Sequence, residues 1–296
     1  MKRIYFLAVY CLALGFVSCN DDKDNPVANE NTQTNNSVNT EGNVDGFKIT
    51  DGSISAVSLY KDGTMDGHDY VDLGLPSGTL WATANIGASA PYIYGNYYAW
   101  GEVTPQSYEY YWDTYKYGYG SGGRDYLKYK KYCIENSDGI VDNKTILDPE
   151  DDAAHVNWGG RWKMPTTEQQ KELCEQCYWV WTENYNNSYT GGYIIYKVKN
   201  SADKGEVISK YKIGKGVMPS SVYSLSDVHI FLPATGYVGA GSFCDVERYG
   251  YYWSSSLHVS YSSKAQCLVG DSYLGLSATG GSARYVGLSV RAVISE

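Results

Sequence analysis

His68-Asp69-Tyr70-Val71-Asp72-Leu73-Gly74-Leu75-Pro76-Ser77-Gly78-Thr79-Leu80-Trp81-Ala82 holds two short β-prone runs around a tight turn. Tyr70 to Leu73 reads as one strand and Thr79 to Ile86 as the next. Pro76 fixes φ and Gly78 frees it, so the chain reverses between them. The same pattern continues outward. Phe47 to Thr50 and Ile54 to Tyr60 predict strands separated by Asp51-Gly52, and Asp62-Gly63 and Asp66-Gly67 punctuate again. Further strands are predicted at His229 to Leu232, Tyr251 to Ser255, Ala265 to Val269 and Leu288 to Ile294. Helix is predicted twice only. Pro149 to His155 opens with Pro149, Glu150, Asp151 and Asp152, acids that suit a helix N-terminus. The second helix follows Thr166, whose partner Gln169 completes a capping box and which places Leu173 and Cys177 on one face. The predicted class is α+β, loop-rich, with short strands and about two helices.

Composition agrees. The 296 residues include 31 Tyr and 32 Gly against 5 Phe, with 43% hydrophobic residues, enough for a core. Only 19% are charged and the net charge is −9, which argues against nucleic acid or an anionic membrane face as partner.

The start of the chain reads as an address. Lys2 and Arg3 precede an uncharged run from Ile4 to Val17, too short to span a bilayer but suited to a signal sequence. Phe16-Val17-Ser18-Cys19 resembles the lipobox of bacterial lipoproteins, which implies a signal peptide over 1–18 and lipidation of Cys19. The expected location is the outer membrane, with the membrane reached through the N-terminal lipid. Cleavage takes the net charge from −9 to −11. Residues 19–46 carry six acids against Lys23, with eight Asn and no aromatic, Leu or Ile, and read as a disordered tether. Asp21-Asp22-Lys23-Asp24 resembles an acidic surface-export signal; the alternative is simple solvation of the tether.

Beyond the tether, ordered blocks accumulate. After His68 to Ala82 come Asn85-Ile86-Gly87-Ala88, Tyr94 to Glu102, Asp148 to Ala154 and Trp158-Gly159-Gly160-Arg161-Trp162-Lys163-Met164-Pro165-Thr166. Phe231 to Tyr237, Tyr252-Trp253-Ser254-Ser255-Ser256 and Ser289-Val290-Arg291 complete the set. Together they resemble the Fibrobacter succinogenes major paralogous domain family over about 68–293. The resemblance implies a C-type-lectin-like domain over 47–296, related to the formylglycine-generating enzyme and to retroelement-diversified proteins. It also implies that the first and last strands pair, with a binding face opposite the termini. Trp81, Trp100, Trp158, Trp162 and Trp253 are expected to fill space between few regular elements.

Catalytic chemistry finds little footing. Cys133, Cys174, Cys177, Cys244 and Cys267 follow Cys11 and Cys19, an odd number that leaves a thiol free. Cys174 and Cys177 lack the second pair a zinc site needs. His68, His155, His229 and His258 are scattered, and no nucleophile-elbow pattern is present. Asp148, Glu150, Asp151 and Asp152 offer either calcium ligands or helix caps. No catalytic residue, metal or cofactor is expected.

Two segments suit binding. Residues 92–132 hold 13 of the 31 Tyr, a residue that gives large contact area at low entropy cost; the alternative is a loop packed on the domain, as the family resemblance implies. Half of the 18 residues from Val269 to Val286 are Tyr, Ser or Gly, and none is Asn. That alphabet matches adenine-directed diversification of Asn codons; the alternative is an ordinary small-residue strand and loop. The expected ligand-binding residues are Tyr252, Trp253, Asp271, Ser272, Tyr273, Arg284 and Tyr285. The expected function is a non-catalytic, adhesin-like, surface-displayed protein that binds a protein or glycan. The alternatives are an enzyme like the formylglycine generators, with a metal or reactive cysteine pair, and a structural surface or assembly subunit.

Overall fold

In the computed structural model, residues 47–50, 53–56, 60–107, 110–204, 221–273 and 275–295 are described, the first two stretches as backbone only. The expected signal peptide, Cys19 and the tether lie outside the described residues. Phe47–Thr50 and Ser53–Ala56 pair antiparallel, with Thr50 opposite Ser53 and Phe47 opposite Ala56.

Two five-stranded sheets carry most of the fold. The first runs Gly63–Met65, His68–Val71, Leu80–Ala82, Val293–Ile294 and Trp162–Lys163 in spatial order, so the last strand joins the early ones. The second runs Gly275–Ala283, Tyr261–Asp271, Tyr249–His258, Leu288–Ser289 and Tyr97–Tyr98. A third sheet of Tyr178–Thr182, Gly192–Tyr196 and His229–Pro233 is antiparallel throughout. The class is α+β, mostly sheet, with two α-helices among the described residues.

The predicted strand from Leu288 to Ile294 is in fact two strands in different sheets. Val290, Arg291 and Ala292 lie between them and are all buried, so the inside–outside alternation of a strand is broken. Arg291 turns inward and donates to Asn85 Oδ1, Ala82 O, Thr83 O and Phe231 O. The predicted strand from Thr79 to Ile86 likewise stops at Ala82, where these carbonyls leave the ladder for the guanidinium.

The helix predicted from Pro149 also divides. Pro149–Asp151 is a single 3-10 turn, and Asp152 then sits extended before α1 (Ala153–Trp158). Its carboxylate accepts the N–H groups of Ala154 and His155, the orphan donors of the first helical turn, and that of Met164. The second helix, α2 (Thr167–Gln176), starts as predicted, with both halves of the Thr166–Gln169 capping box formed.

The second five-stranded sheet lies between two apolar layers. Tyr251, Trp253, Cys267 and Ala283 face one, while Tyr252, Leu268 and Ala278 face the other, with Leu173 of α2. Of the five tryptophans named above, Trp81, Trp100, Trp162 and Trp253 are almost completely buried, and the indoles of the last three bridge elements. Trp100 Nε1 donates to Ser254 O, Trp253 Nε1 to Tyr98 O, and Trp162 Nε1 to Met65 O. Trp158 is half-buried and stacks on His68 with ring centroids 3.8 Å apart.

Candidate functional site

Four of the seven expected ligand-binding residues are buried: Tyr252, Trp253, Arg284 and Asp271. Tyr252 is 2% exposed and donates to Pro233 O at 2.5 Å. Trp253 is fully enclosed. Arg284 is also 0% exposed, and its guanidinium is surrounded by the Tyr-rich segment. It donates to Tyr115 Oη, to the carbonyls of Tyr132 and Lys131, and to Ser262 O, all at 2.9–3.1 Å. The rings of Trp100, Tyr115, Tyr117, Tyr129 and Tyr132 lie within 4.6–5.9 Å of its central carbon. The Tyr-rich stretch and Arg284 therefore satisfy one another. Tyr285 is half-buried and accepts Gln106 Nε2 through its carbonyl.

Asp271 stays together with the last two expected residues. Asp271, Ser272 and Tyr273 form the turn between Tyr261–Asp271 and Gly275–Ala283. Tyr193 Oη donates to Asp271 O at 2.5 Å, and Asp271 Oδ1 accepts the Tyr273 N–H. The turn is thus fixed from below, while Tyr273 is 65% exposed.

Next to this turn lies a tyrosine cluster that the sequence analysis did not single out. Tyr249 pairs across the ladder with Asp271, and Tyr251 with Val269, so these four side chains share one face. Tyr249 and Tyr251 stack at 5.7 Å, and Tyr237 meets Tyr251 edge-on at 5.7 Å. Tyr237 and Tyr249 are half-buried, and Tyr251 is buried beneath them. Burial and the nearby Asp271 carboxylate push the Tyr249 phenol up, so it remains a neutral donor. Arg248 lies 5.9 Å from the Tyr249 ring centroid and 3.7 Å from Asp245.

The adjoining backbone is strained. Ala240, Asp245 and Glu247 all have positive φ, between 49° and 64°. Non-glycine residues there persist only where surrounding structure holds them. Here Glu247 N–H bonds to Ala234 O and Tyr249 N–H to Asp245 O. The signal available in the sequence was the i, i+2 spacing of Tyr249 and Tyr251 beside Arg248.

The acidic cluster has a different occupant from calcium. Asp148, Glu150 and Asp151 place ligand oxygens within 4.8 Å of one another. Lys131 Nζ lies among them, 2.6 Å from Asp148 Oδ2 and 2.6 Å from Asp151 Oδ2. Lys116 and Tyr132 also donate to Asp151, and Lys144 to Asp148. The carboxylates are neutralised by tethered ammonium groups. A shallow pocket of about 130 Å³ lies elsewhere, lined by Tyr60, Lys61, Asp69, Thr83, Ser89 and Pro91.

The histidines and cysteines are engaged in packing. His229 is buried, with Nε2 at 2.8 Å from Tyr185 Oη and Nδ1 at 2.7 Å from Asp227 O. His155 Nδ1 meets Trp162 O, and His258 packs on Tyr261. Cys133, Cys174, Cys177 and Cys267 are free thiols, and all of these but Cys174 are buried, as is Cys244. Burial pushes Cys174 and Cys267 up to about 12, away from the thiolate that redox chemistry requires. In comparisons with known proteins, no family model, no curated protein and no solved structure matches the chain.

Proposed function

We propose that this chain is a lipid-anchored binding protein of the outer membrane surface. Its protein or glycan ligand docks on the tyrosine cluster and the neighbouring turn. The observation that carries this reading is the Tyr237–Tyr251–Tyr249 group, in which Tyr237 and Tyr249 are half-exposed above a buried Tyr251, set on paired strands and bordered by Asp245, Arg248 and Tyr273. Rigid aromatic area with polar groups at its rim suits recognition at a low entropic cost of ordering. The resemblance to the Fibrobacter succinogenes major paralogous domain family, with its implied C-type-lectin-like fold, supports a binding role. Lipidation at Cys19 and a non-catalytic mode of action are parts of the same proposal.

The test is a glycan and host-protein binding screen with the mature chain and its Tyr249→Ala and Tyr273→Ala variants. The reading expects at least one ligand whose binding both variants weaken while the far-ultraviolet spectrum is unchanged. Binding by the wild type that neither variant alters would overturn the site. Absence of any ligand, together with self-association, would favour a structural surface subunit.

A further inference from the structure

We infer that Arg284 is an internal cation around which the Tyr-rich segment 110–132 closes, making that segment a strap pinned to the edge strand of the sheet. The segment contains little regular structure of its own: two single 3-10 turns, Trp112–Thr114 and Arg124–Tyr126, and the two-residue pairing of Gly118–Tyr119 with Lys128–Tyr129. Its interior is Tyr115, Tyr117, Leu127, Tyr129 and Tyr132, and four of these five surround one guanidinium.

Two features show that this side chain organises the segment. First, no carboxylate among the described residues forms an ion pair with Arg284. Its charge is met by main-chain carbonyls, a tyrosine hydroxyl and ring faces, an arrangement that depends on the planar fork of arginine. Second, Tyr132 is fully buried at φ 58°, a conformation unfavourable for a large side chain. That residue is held at both ends, its N–H by Asp142 Oδ2 and its carbonyl by Arg284.

Arg284 is also the first residue after Gly275–Ala283, the outermost strand of its sheet. The edge strand and the strap are therefore coupled through one side chain. Displacing the strand withdraws the guanidinium, and the carbonyls of Lys131 and Tyr132 lose their common donor.

Hydrogen exchange read by mass spectrometry on the mature chain tests this. In Arg284→Met, amides of 112–132 should lose protection by about tenfold or more, as expected when a local unit opens separately from the core. Amides of the Tyr178–Thr182, Gly192–Tyr196 and His229–Pro233 sheet should keep theirs. Arg284→Lys should fall on the same side as methionine, because it keeps the charge and loses the fork. In Arg284→Ala, added methylguanidinium should restore protection of the strap, whereas methylammonium should not. Equal loss in both regions, or no loss in the strap, would overturn the inference. If the variants do not fold, the wild type decides: strap and core amides exchanging at one common rate would sink it, and a faster, concerted strap would support it.

Discussion

Lys131 Nζ lies 2.6 Å from Asp151 Oδ2, and the Asp151 side chain is 1% exposed. Burial alone would raise the pKa of this carboxyl. Hydrogen bonds from Lys116, Lys131, Tyr117 and Tyr132 outweigh burial and hold it well below the usual carboxylate range. The sign follows from linkage. A folded pKa below the unfolded value of about 3.9 gives stability that is fully present above that value. The contribution is lost as pH falls through the lowered folded pKa. Asp151→Asn is therefore expected to cost about 1–3 kcal/mol near neutral pH, because the buried donors lose their charged acceptor while Lys116 and Lys131 stay partly solvated. Urea titrations at several pH values should show the gap to wild type narrowing under strongly acidic conditions. A gap independent of pH would assign the loss to packing.

The same lysine decides the response to calcium. Its ammonium sits among the oxygens of Asp148, Glu150 and Asp151, so a divalent ion would have to displace a tethered charge. Thermal melts of the wild type with calcium or with a chelator should coincide. A calcium-dependent rise of several degrees would mean that Lys131 yields its place.

The parts of this fold that were legible in the sequence are those decided within a few residues. Thr166 and Gln169 satisfy each other's backbone, so α2 could be placed from four positions. Of the acids ahead of α1, Asp152 was legible as a cap for the same reason, whereas Asp148 and Asp151 pair with lysines instead. What was not legible depends on partners far along the chain. Lys131 and Asp151 are 20 residues apart, and Arg284 meets Tyr115 across 169. An arginine is ordinarily exposed, so nothing local marked Arg284 or Arg291 as interior. Tyr252 and Trp253 were misjudged because their sheet is covered on both faces, and neither phase of its alternation points to water. The tyrosine cluster became visible only through register, since Tyr249 acquires its neighbour Asp271 by pairing.

The capping box offers a local test. Thr166 Oγ1 accepts the Gln169 N–H, and Gln169 Oε1 accepts the Thr166 N–H. Thr166→Ala should lower stability by about 1 kcal/mol. Thr166→Ser should retain most of it, and chemical denaturation distinguishes the two. Equal losses would mean that the threonine methyl, and not the cap, carries the effect.

Thiol chemistry provides a second check. Cys133, Cys177, Cys244 and Cys267 are buried, and burial pushes the Cys174 thiol up although part of that residue is exposed. An aromatic disulfide reagent at neutral pH should react slowly with the native domain and with all five thiols after denaturation. Rapid labelling of one native thiol would reveal an activated cysteine and revive the enzymatic alternative.

The segment from Val269 to Val286 now divides into positions that can vary and positions that cannot. Tyr273 and Thr279 face solvent, and Ser272 and Ser277 are half-buried. By contrast, a Cβ on Gly280 would lie 2.8 Å from Cys267 O and 3.1 Å from its sulfur, with backbone on one side and a buried thiol on the other. Ala278 is enclosed in the layer that includes Leu173 of α2, and Arg284 is enclosed among tyrosines. A saturation scan of 269–286, sorted first for folded display and then for ligand binding, should separate these sets. Substitutions at 272, 273, 277 and 279 should pass the first sort and alter the second. Those at 278 and 280 should fail the first, with Gly280→Ala costing about 1–3 kcal/mol as an overpacked site. Free variation at 280 would contradict the packing of the edge strand, whereas exposed positions that vary without affecting binding would remove the turn from the recognition surface.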